Sequence, residues 1–311
     1  MYVGLYNLEP NIVNSAMMRV SQYHKDLGDT VEIYNHLLHN DYDKIYAFSI
    51  FTFTDKSYVR KDMVSGGSGF NLKTKLPIEI EKSGYDWSLY PDCDFSIIWF
   101  HHGCIRNCPF CCVQEKEGSL FSVESKNLNP NGKYIKVMDN NFFANPNWKS
   151  AIKQLQEWNQ PCDFQGVDVR LLDKEQCNAL LSLKHKKQIH IAWDNPRENL
   201  IPKLKEVIKY IKPWRLMCYV LIGYWSNTDE DLYRIDELER LNIDQFIMPY
   251  DSRDRYQKKF ARYVNHKAIR NTVTWGEYKK SVKKSKIATP IPLTDKSVSI
   301  LGGILLHLNP D

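Results

Sequence analysis

The sequence predicts an α/β protein, on three observations. From residue 94 onward, short apolar runs recur at 95–100, 134–138, 164–169, 189–193, 216–222 and 245–249. Between the later runs lie stretches with an apolar residue every three or four positions, the period of a half-buried helix. And the first fifty residues read strand, helix, strand with short links, which implies a right-handed parallel crossover.

In chain order, Tyr2 to Tyr6 is the first strand. Asn14 and Ser15 can cap a helix with Ala16, Met17, Val20 and Tyr23 on its apolar face. Gly28-Asp29 ends that helix, and strands follow at 31–34 and 43–50. The stretch Ser65-Gly66-Gly67-Ser68-Gly69-Phe70 reads either as a loop whose amides face a ligand or as a flexible connection. Residues 76–92 are polar and contain prolines, the texture of a linker. In the later array, 146–158 puts Trp148, Ile152, Leu155 and Trp158 on one face, and 174–183, 200–211 and 229–241 are comparable. Strands about thirty residues apart with a helix between them are βαβ units. Six of them are two short of an eight-fold barrel. The expected domains are 1–92, a small Rossmann-like unit, 93–250, the βα array, and 251–311, a basic helical extension.

Composition narrows the class. The 311 residues are 43% hydrophobic and 25% charged, as in an ordinary globular protein. No apolar run approaches the length that spans a membrane. The N-terminus lacks the basic region and cleavage site of a signal peptide, so a cytoplasmic protein without membrane partners is expected. Eight cysteines are then expected reduced, and a cluster of them points to metal. The net charge of +5 is too small to imply nucleic acid by itself.

The chemistry concentrates in Phe100-His101-His102-Gly103-Cys104-Ile105-Arg106-Asn107-Cys108-Pro109-Phe110-Cys111-Cys112, directly after the run at 95–100. Cys104, Cys108 and Cys111 have the spacing C-x3-C-x2-C on the loop leaving that strand. Three thiolates this close can converge on one soft metal centre. An iron–sulfur cubane normally takes four, so three would leave one iron open. Structural free cysteines, a zinc site completed by His101 or His102, and an electron-transfer cluster completed by Cys112 are the competing readings.

C-x3-C-x2-C with an aromatic residue before the last cysteine, just after the first strand of a β/α array, resembles the radical S-adenosylmethionine (SAM) superfamily. The resemblance covers residues 94–250 and implies a partial (β/α)6 TIM-type barrel with a 4Fe-4S cluster on Cys104, Cys108 and Cys111. It implies that SAM is chelated by the open iron and cleaved to a 5′-deoxyadenosyl radical that takes hydrogen from a substrate. It also implies an external flavodoxin- or ferredoxin-like electron donor. The N-terminal segment resembles a shortened cobalamin-binding domain. The motif Asp-x-His-x-x-Gly is absent from it, so no cobalamin is expected; His24, His36 and His39 are not in such a setting.

In such arrays the active residues gather at the C-terminal ends of the strands. The backbone of Phe110 has a family role against adenine. Where the family often has Gly-Gly-Glu, this chain has Asp139-Asn140-Asn141, one carboxylate and two amides able to accept from SAM's ammonium. An Asx turn leaving the strand is the bland alternative. Arg170 could pair with a carboxylate of SAM or substrate, or with Asp168 or Asp173 as a structural bridge. Asp194 is placed for a ribose hydroxyl or a substrate group, though Asn195 before Pro196 could be turn chemistry alone. Gly223 would let the strand approach adenine closely. Arg106 adds positive charge beside the cysteines.

The tail is basic, with Arg253, Arg255, Lys258, Lys259, Arg262, Lys267 and Arg270 followed by Lys279, Lys280, Lys283, Lys284 and Lys286. Tyr256, Phe260, Tyr263, Trp275 and Tyr278 are interleaved, which suits either single-stranded nucleic acid or amphipathic helices covering the array. Residues 300–308 read as an apolar end that docks. The expected function is therefore a radical SAM enzyme acting on an unidentified nucleic acid or small metabolite. A zinc-binding nucleic-acid module and a non-catalytic iron–sulfur scaffold are the rivals.

Overall fold

The structure, a computed structural model, describes residues 1–281. The lysines at 283, 284 and 286 and the apolar end at 300–308 lie outside the described residues. The chain is a mixed α/β protein built on parallel sheets, and its described residues divide into two compact units, 1–140 and 141–281.

The first unit opens with the predicted crossover: β1 (Tyr2–Asn7), α1 (Ser15–Asp26), β2 (Thr30–Ile33), β3 (Lys44–Phe48) and β4 (Val64–Gly66). Their order is β2-β1-β3-β4, all parallel. Alternation along β1 sends Val3 and Leu5 to one face, where Met17 and Val20 of α1 and Phe48 close a core. Tyr2 and Tyr6 go to the other face, against Tyr34, Tyr42 and Ile45. Asn14 caps α1 by accepting from Met17 N at 3.1 Å, as the sequence predicts. His24 turns inward: its Nδ1 lies 2.7 Å from Asp29 and its Nε2 3.0 Å from the Tyr46 hydroxyl.

The glycine-rich stretch is packed rather than a loose tether. Its first residues form β4, and the glycines that follow pack on the end of β3. A Cβ on Gly67 would stand 2.3 Å from Ser49 O, and one on Gly69 2.3 Å from Ser49 Oγ.

The expected linker at 76–92 is a packed strap, and the expected boundary at 92 falls inside this first unit. It carries α2 (Ile78–Lys82) and a short turn at Trp87–Leu89. Tyr85 and Trp87 are buried with Met18 of α1 and Ile97. Asp86 accepts from Ser21 Oγ at 2.6 Å and pairs with Lys25 at 2.7 Å, and the Tyr90 hydroxyl receives Asn14 N–H at 3.0 Å. Polar residues and prolines suggested a linker; the three aromatics, which bury large apolar areas, decide otherwise.

The strap leads into β5 (Phe95–Ile98), β6 (His101–His102), α3 (Val113–Lys116), β7 (Phe121–Ser122) and β8 (Tyr134–Val137). β5 and β8 pair in parallel, Phe95 opposite Tyr134 and Ile98 opposite Val137. β6 and β7 pair antiparallel, so the cysteine segment is the long tip of a hairpin.

The second unit contains α4 (Trp148–Trp158), β9 (Cys162–Phe164), α5 (Lys174–Leu181), β10 (Ile189–Ala192), α6 (Ile201–Val207), β11 (Leu216–Ile222), α7 (Thr228–Arg240) and β12 (Asp244–Pro249). Helices α8 (Arg255–Asn265), α9 (Lys267–Arg270) and α10 (Trp275–Ser281) follow. β10, β11 and β12 form a parallel sheet in that order. One strand is shorter than the sequence predicts. In the run at 164–169, β9 ends at Phe164, Val167 keeps a single parallel bridge to Ile191, and the Asp168 side chain then accepts from Arg170 N at 3.0 Å and caps a turn at Val169–Leu171. The alternation expected to put Gly166, Asp168 and Arg170 on one sheet face therefore does not apply.

Three of the tail's five aromatics are core. Phe260, Tyr263 and Trp275 are buried, with Trp275 5.0 Å from Phe260 and 5.4 Å from Tyr263 between ring centres. Lys258 and Arg262 lie on the opposite, exposed face of α8. The helices over 255–281 are thus amphipathic, and these three rings pack inward. Among the described residues, no helix is long and apolar enough to cross a membrane.

Candidate functional site

In the first unit, β5 ends at Ile98 and the chain reaches the cysteines through Phe100 to Gly103. Asp139, just past β8, fixes this exit. Its Oδ1 accepts from Phe100 N at 2.9 Å and from His101 N at 2.7 Å, and the residue is 1% exposed. Asp139 Oδ2 is buried without a hydrogen-bond partner among the described residues. The fully buried His101 ring sits beside it, Nδ1 3.0 Å from Asp139 Oδ1 but out of line for a hydrogen bond.

Beyond the exit the loop is held at both ends. Gly103 N donates to Glu117 Oε2 at 2.8 Å, and Asn140 Nδ2 donates to the same oxygen at 2.7 Å and to Gly103 O at 3.3 Å. Gly103 is required: its φ is +76°, and a Cβ there would meet Ser119 O at 2.4 Å. Gln114 Nε2 reaches back to Cys104 O at 2.6 Å and Arg106 O at 2.9 Å. Burial raises the Glu117 pKa, but His102, the Gly103 N–H and Lys116 outweigh it and hold the carboxyl down at about 2. Gln114 and Glu117 belong to no motif and carry no expected chemistry. The only clue was their placement in a polar stretch immediately after the last cysteine.

Between these anchors stand the thiols. Cys104, Cys108 and Cys111 are each half-buried, whereas Cys112 is 3% exposed and points inward. Backbone N–H groups face two of the sulfurs: Arg106 N lies 3.4 Å from Cys104 Sγ and Val113 N 3.5 Å from Cys111 Sγ. Burial first, and then the neighbouring thiols of Cys112, Cys108 and Cys104, push the Cys111 thiol up to about 12. Among the described residues no three His, Cys, Asp or Glu side chains already stand close enough to hold a metal ion. The donor set nonetheless suits a thiolate-bound cluster: three partly accessible sulfurs on one loop, two of them met by amide N–H groups of the kind that tune iron–sulfur centres. Ligation would draw the thiols together and release their protons, a coupling usual in metal sites. Phe110, 6% exposed, packs under the same loop.

The remaining predicted residues belong to the second unit. Asn141 is 3% exposed, and its Oδ1 has no hydrogen-bond partner among the described residues. Arg170 is engaged in a bridge, to Asp168 at 2.7 Å and Glu198 at 2.6 Å, so of its two predicted structural partners Asp168 is the one used. Gly223 has φ +83°, and a Cβ there would fall 2.1 Å from the Gln257 side chain. The close approach that this glycine permits is made by Gln257, whose Oε1 accepts from Asp251 N at 2.8 Å. Asp194 follows β10. Its half-buried carboxyl makes no hydrogen bond among the described residues, and desolvation, against the pull of Arg234 and Arg170, raises its pKa to about 6. Asn195 forms the expected turn, accepting from Arg197 N at 3.0 Å.

Sequence reasoning missed Arg234. It is 0% exposed, donates to Trp193 O at 2.8 Å and Asp194 O at 3.3 Å, and pairs with the equally buried Asp231 at 2.6 Å. The signal was present: positions 231, 234, 235 and 238 share one helical stripe, and two of them are charged.

No protein-family model and no curated protein matches the chain. Among solved structures it is similar to the solution structure of the E. coli RcsC C-terminus containing a linker region and phosphoreceiver domain. That match has 10% identity over 88% of this chain and 95% of the other, with a TM-score of 0.22. A likeness at that score carries no statement about fold or activity.

Proposed function

We propose that the chain is a radical SAM enzyme whose Cys104, Cys108 and Cys111 hold a 4Fe-4S cluster. One observation carries the reading: the three C-x3-C-x2-C thiols sit partly accessible on a hairpin tip pinned at Gly103 and at Cys104–Arg106, directly after a buried parallel strand. The cluster, when bound, would supply the electron that cleaves SAM and so starts hydrogen abstraction from a substrate. The chain's own residues orient and enclose. Asp139 Oδ2 is an acceptor without a partner in a buried setting, suited to SAM's ammonium, and the Asn140 amide oxygen lies on the next residue. Phe110 keeps its proposed place beside adenine. Asp194, unbonded at a strand's C-terminal end, stands as the second unit's candidate for a ribose hydroxyl or a substrate group. For Arg170 and Gly223 the ion pairs and the Gln257 contact supply sufficient structural reasons.

The partial (β/α)6 barrel belongs to this proposal. Each of its six predicted runs contains a strand, β5 and β8 to β12; β5 pairs β8 in parallel in the first unit, and β10, β11 and β12 pair in parallel in the second. An external one-electron donor is part of the same reading. The zinc alternative would need His101 or His102 as fourth ligand. His101 is wholly buried against Asp139, and His102 lies 3.5 Å from Glu117, which favours the cluster.

Metal analysis tests the proposal. Protein reconstituted without oxygen should be brown, with about four iron and four sulfide per chain. The variant with all three cysteines changed to alanine should take up neither. Colourless protein holding about one zinc would overturn the reading.

A further inference from the structure

We propose that Glu117, Asn140 and Gln114 are positioning residues that set the cysteine loop for cluster insertion, an inference that rests on the function just proposed. Cys104, Cys108 and Cys111 lie on an excursion of the chain between β6 and β7, and α3 is the one short helix within it. A loop of this kind, left free, would lose its conformational entropy at the moment of ligation. Here the ordering precedes the metal. One carboxylate oxygen of Glu117 receives both Gly103 N–H and the Asn140 amide, and the side chain is only 17% exposed. Three residues before Glu117, Gln114 reaches from α3 to the carbonyls of Cys104 and Arg106, on either side of Ile105. The first clamp fixes where the loop leaves its strand. The second fixes the carbonyls of Cys104 and Arg106, and with them the direction in which Cys104 is presented. No hydrogen bond joins Glu117 or the Gln114 side chain to a thiol among the described residues, so neither is placed as a ligand. Groups that orient ligands without binding metal themselves typically contribute ~10–100-fold to metal affinity.

The test uses full-length protein reconstituted with iron and sulfide without oxygen, then challenged with an iron chelator. Wild type is compared with Glu117→Ala, Glu117→Gln and Gln114→Ala, each checked by circular dichroism before loading. Glu117→Ala and Gln114→Ala should each lose ~10–100-fold in apparent iron affinity while keeping the wild-type spectrum of the fold. Glu117→Gln keeps an acceptor oxygen of the same reach toward Gly103 and should recover most of the loss. The low-temperature electron paramagnetic resonance signal of the reduced protein should broaden or split in the two alanine variants and return in Glu117→Gln. Iron affinity equal to wild type in both alanine variants overturns the inference, as does a Glu117→Gln variant no better than Glu117→Ala. Should Glu117→Ala fail to fold, Gln114→Ala, which touches only loop carbonyls, decides the matter. If wild type itself takes up no iron, it is the proposed function that fails, and the inference falls with it.

Discussion

Gly103, Glu117 and Asp194 carry the sharpest consequences at the residue scale. Gly103 combines a left-handed φ with a space already filled by the Ser119 carbonyl. Gly103→Ala should therefore cost roughly 1–3 kcal/mol and lower the thermal midpoint; a midpoint equal to wild type would contradict the packing described. Glu117 is held at about 2, below its ordinary value, so its charge stabilises the fold above pH ~4.5 and that contribution fades as pH falls toward ~2. Its full size is on the order of 3 kcal/mol. Denaturant melts of Glu117→Gln at several pH values should show a flatter acid limb than wild type. Asp194 has the opposite sign. A raised carboxyl is at its most favourable below the ordinary carboxylate range and loses stability as pH rises through about 6. Asp194→Asn should thus be more stable than wild type at pH 8 and little different at pH 4. An Asp194→Asn variant less stable at pH 8 would show that the carboxylate has a partner there.

Elements show where the sequence was legible and where it was not. α1 and its Asn14 cap were readable, because a capping side chain and an apolar stripe are local signals. β10, β11 and β12 were readable for the same reason, as short apolar runs between helical ones. The strap at 76–92 was not. Its polarity is that of a linker, and its burial depends on α1, a distant partner in sequence. β9 was overread because nothing local distinguishes Asp168 in a strand from Asp168 capping a turn until Arg170 N is seen to donate to it. α7 concealed its buried ion pair for a related reason: charges on a helix usually face water. There the energetic consequence is large. Asp231→Ala leaves Arg234 buried and unpaired and removes the acceptor of the Tyr256 hydroxyl, 2.6 Å away. It should destabilise the fold by roughly 3–5 kcal/mol in denaturant melts, and a loss below ~1 kcal/mol would contradict that burial.

For the whole molecule, the α/β class and the parallel pairing were legible, and the compact division at Asn140–Asn141 was not. A motif marks where chemistry can occur, but the anchors around it come from residues with no motif. Asp139 illustrates this: expected as a ligand-facing carboxylate, it spends one oxygen holding the strand exit and keeps the other without a partner. The substrate was not legible, since nothing local in the sequence encodes the shape of a cavity. The central claim concerns the cysteine loop, and product analysis addresses it most directly. Reconstituted protein, reduced with dithionite and mixed with SAM, should release 5′-deoxyadenosine and methionine. The variant lacking Cys104, Cys108 and Cys111 should release neither. SAM recovered intact from wild-type protein carrying its full complement of iron would contradict the account.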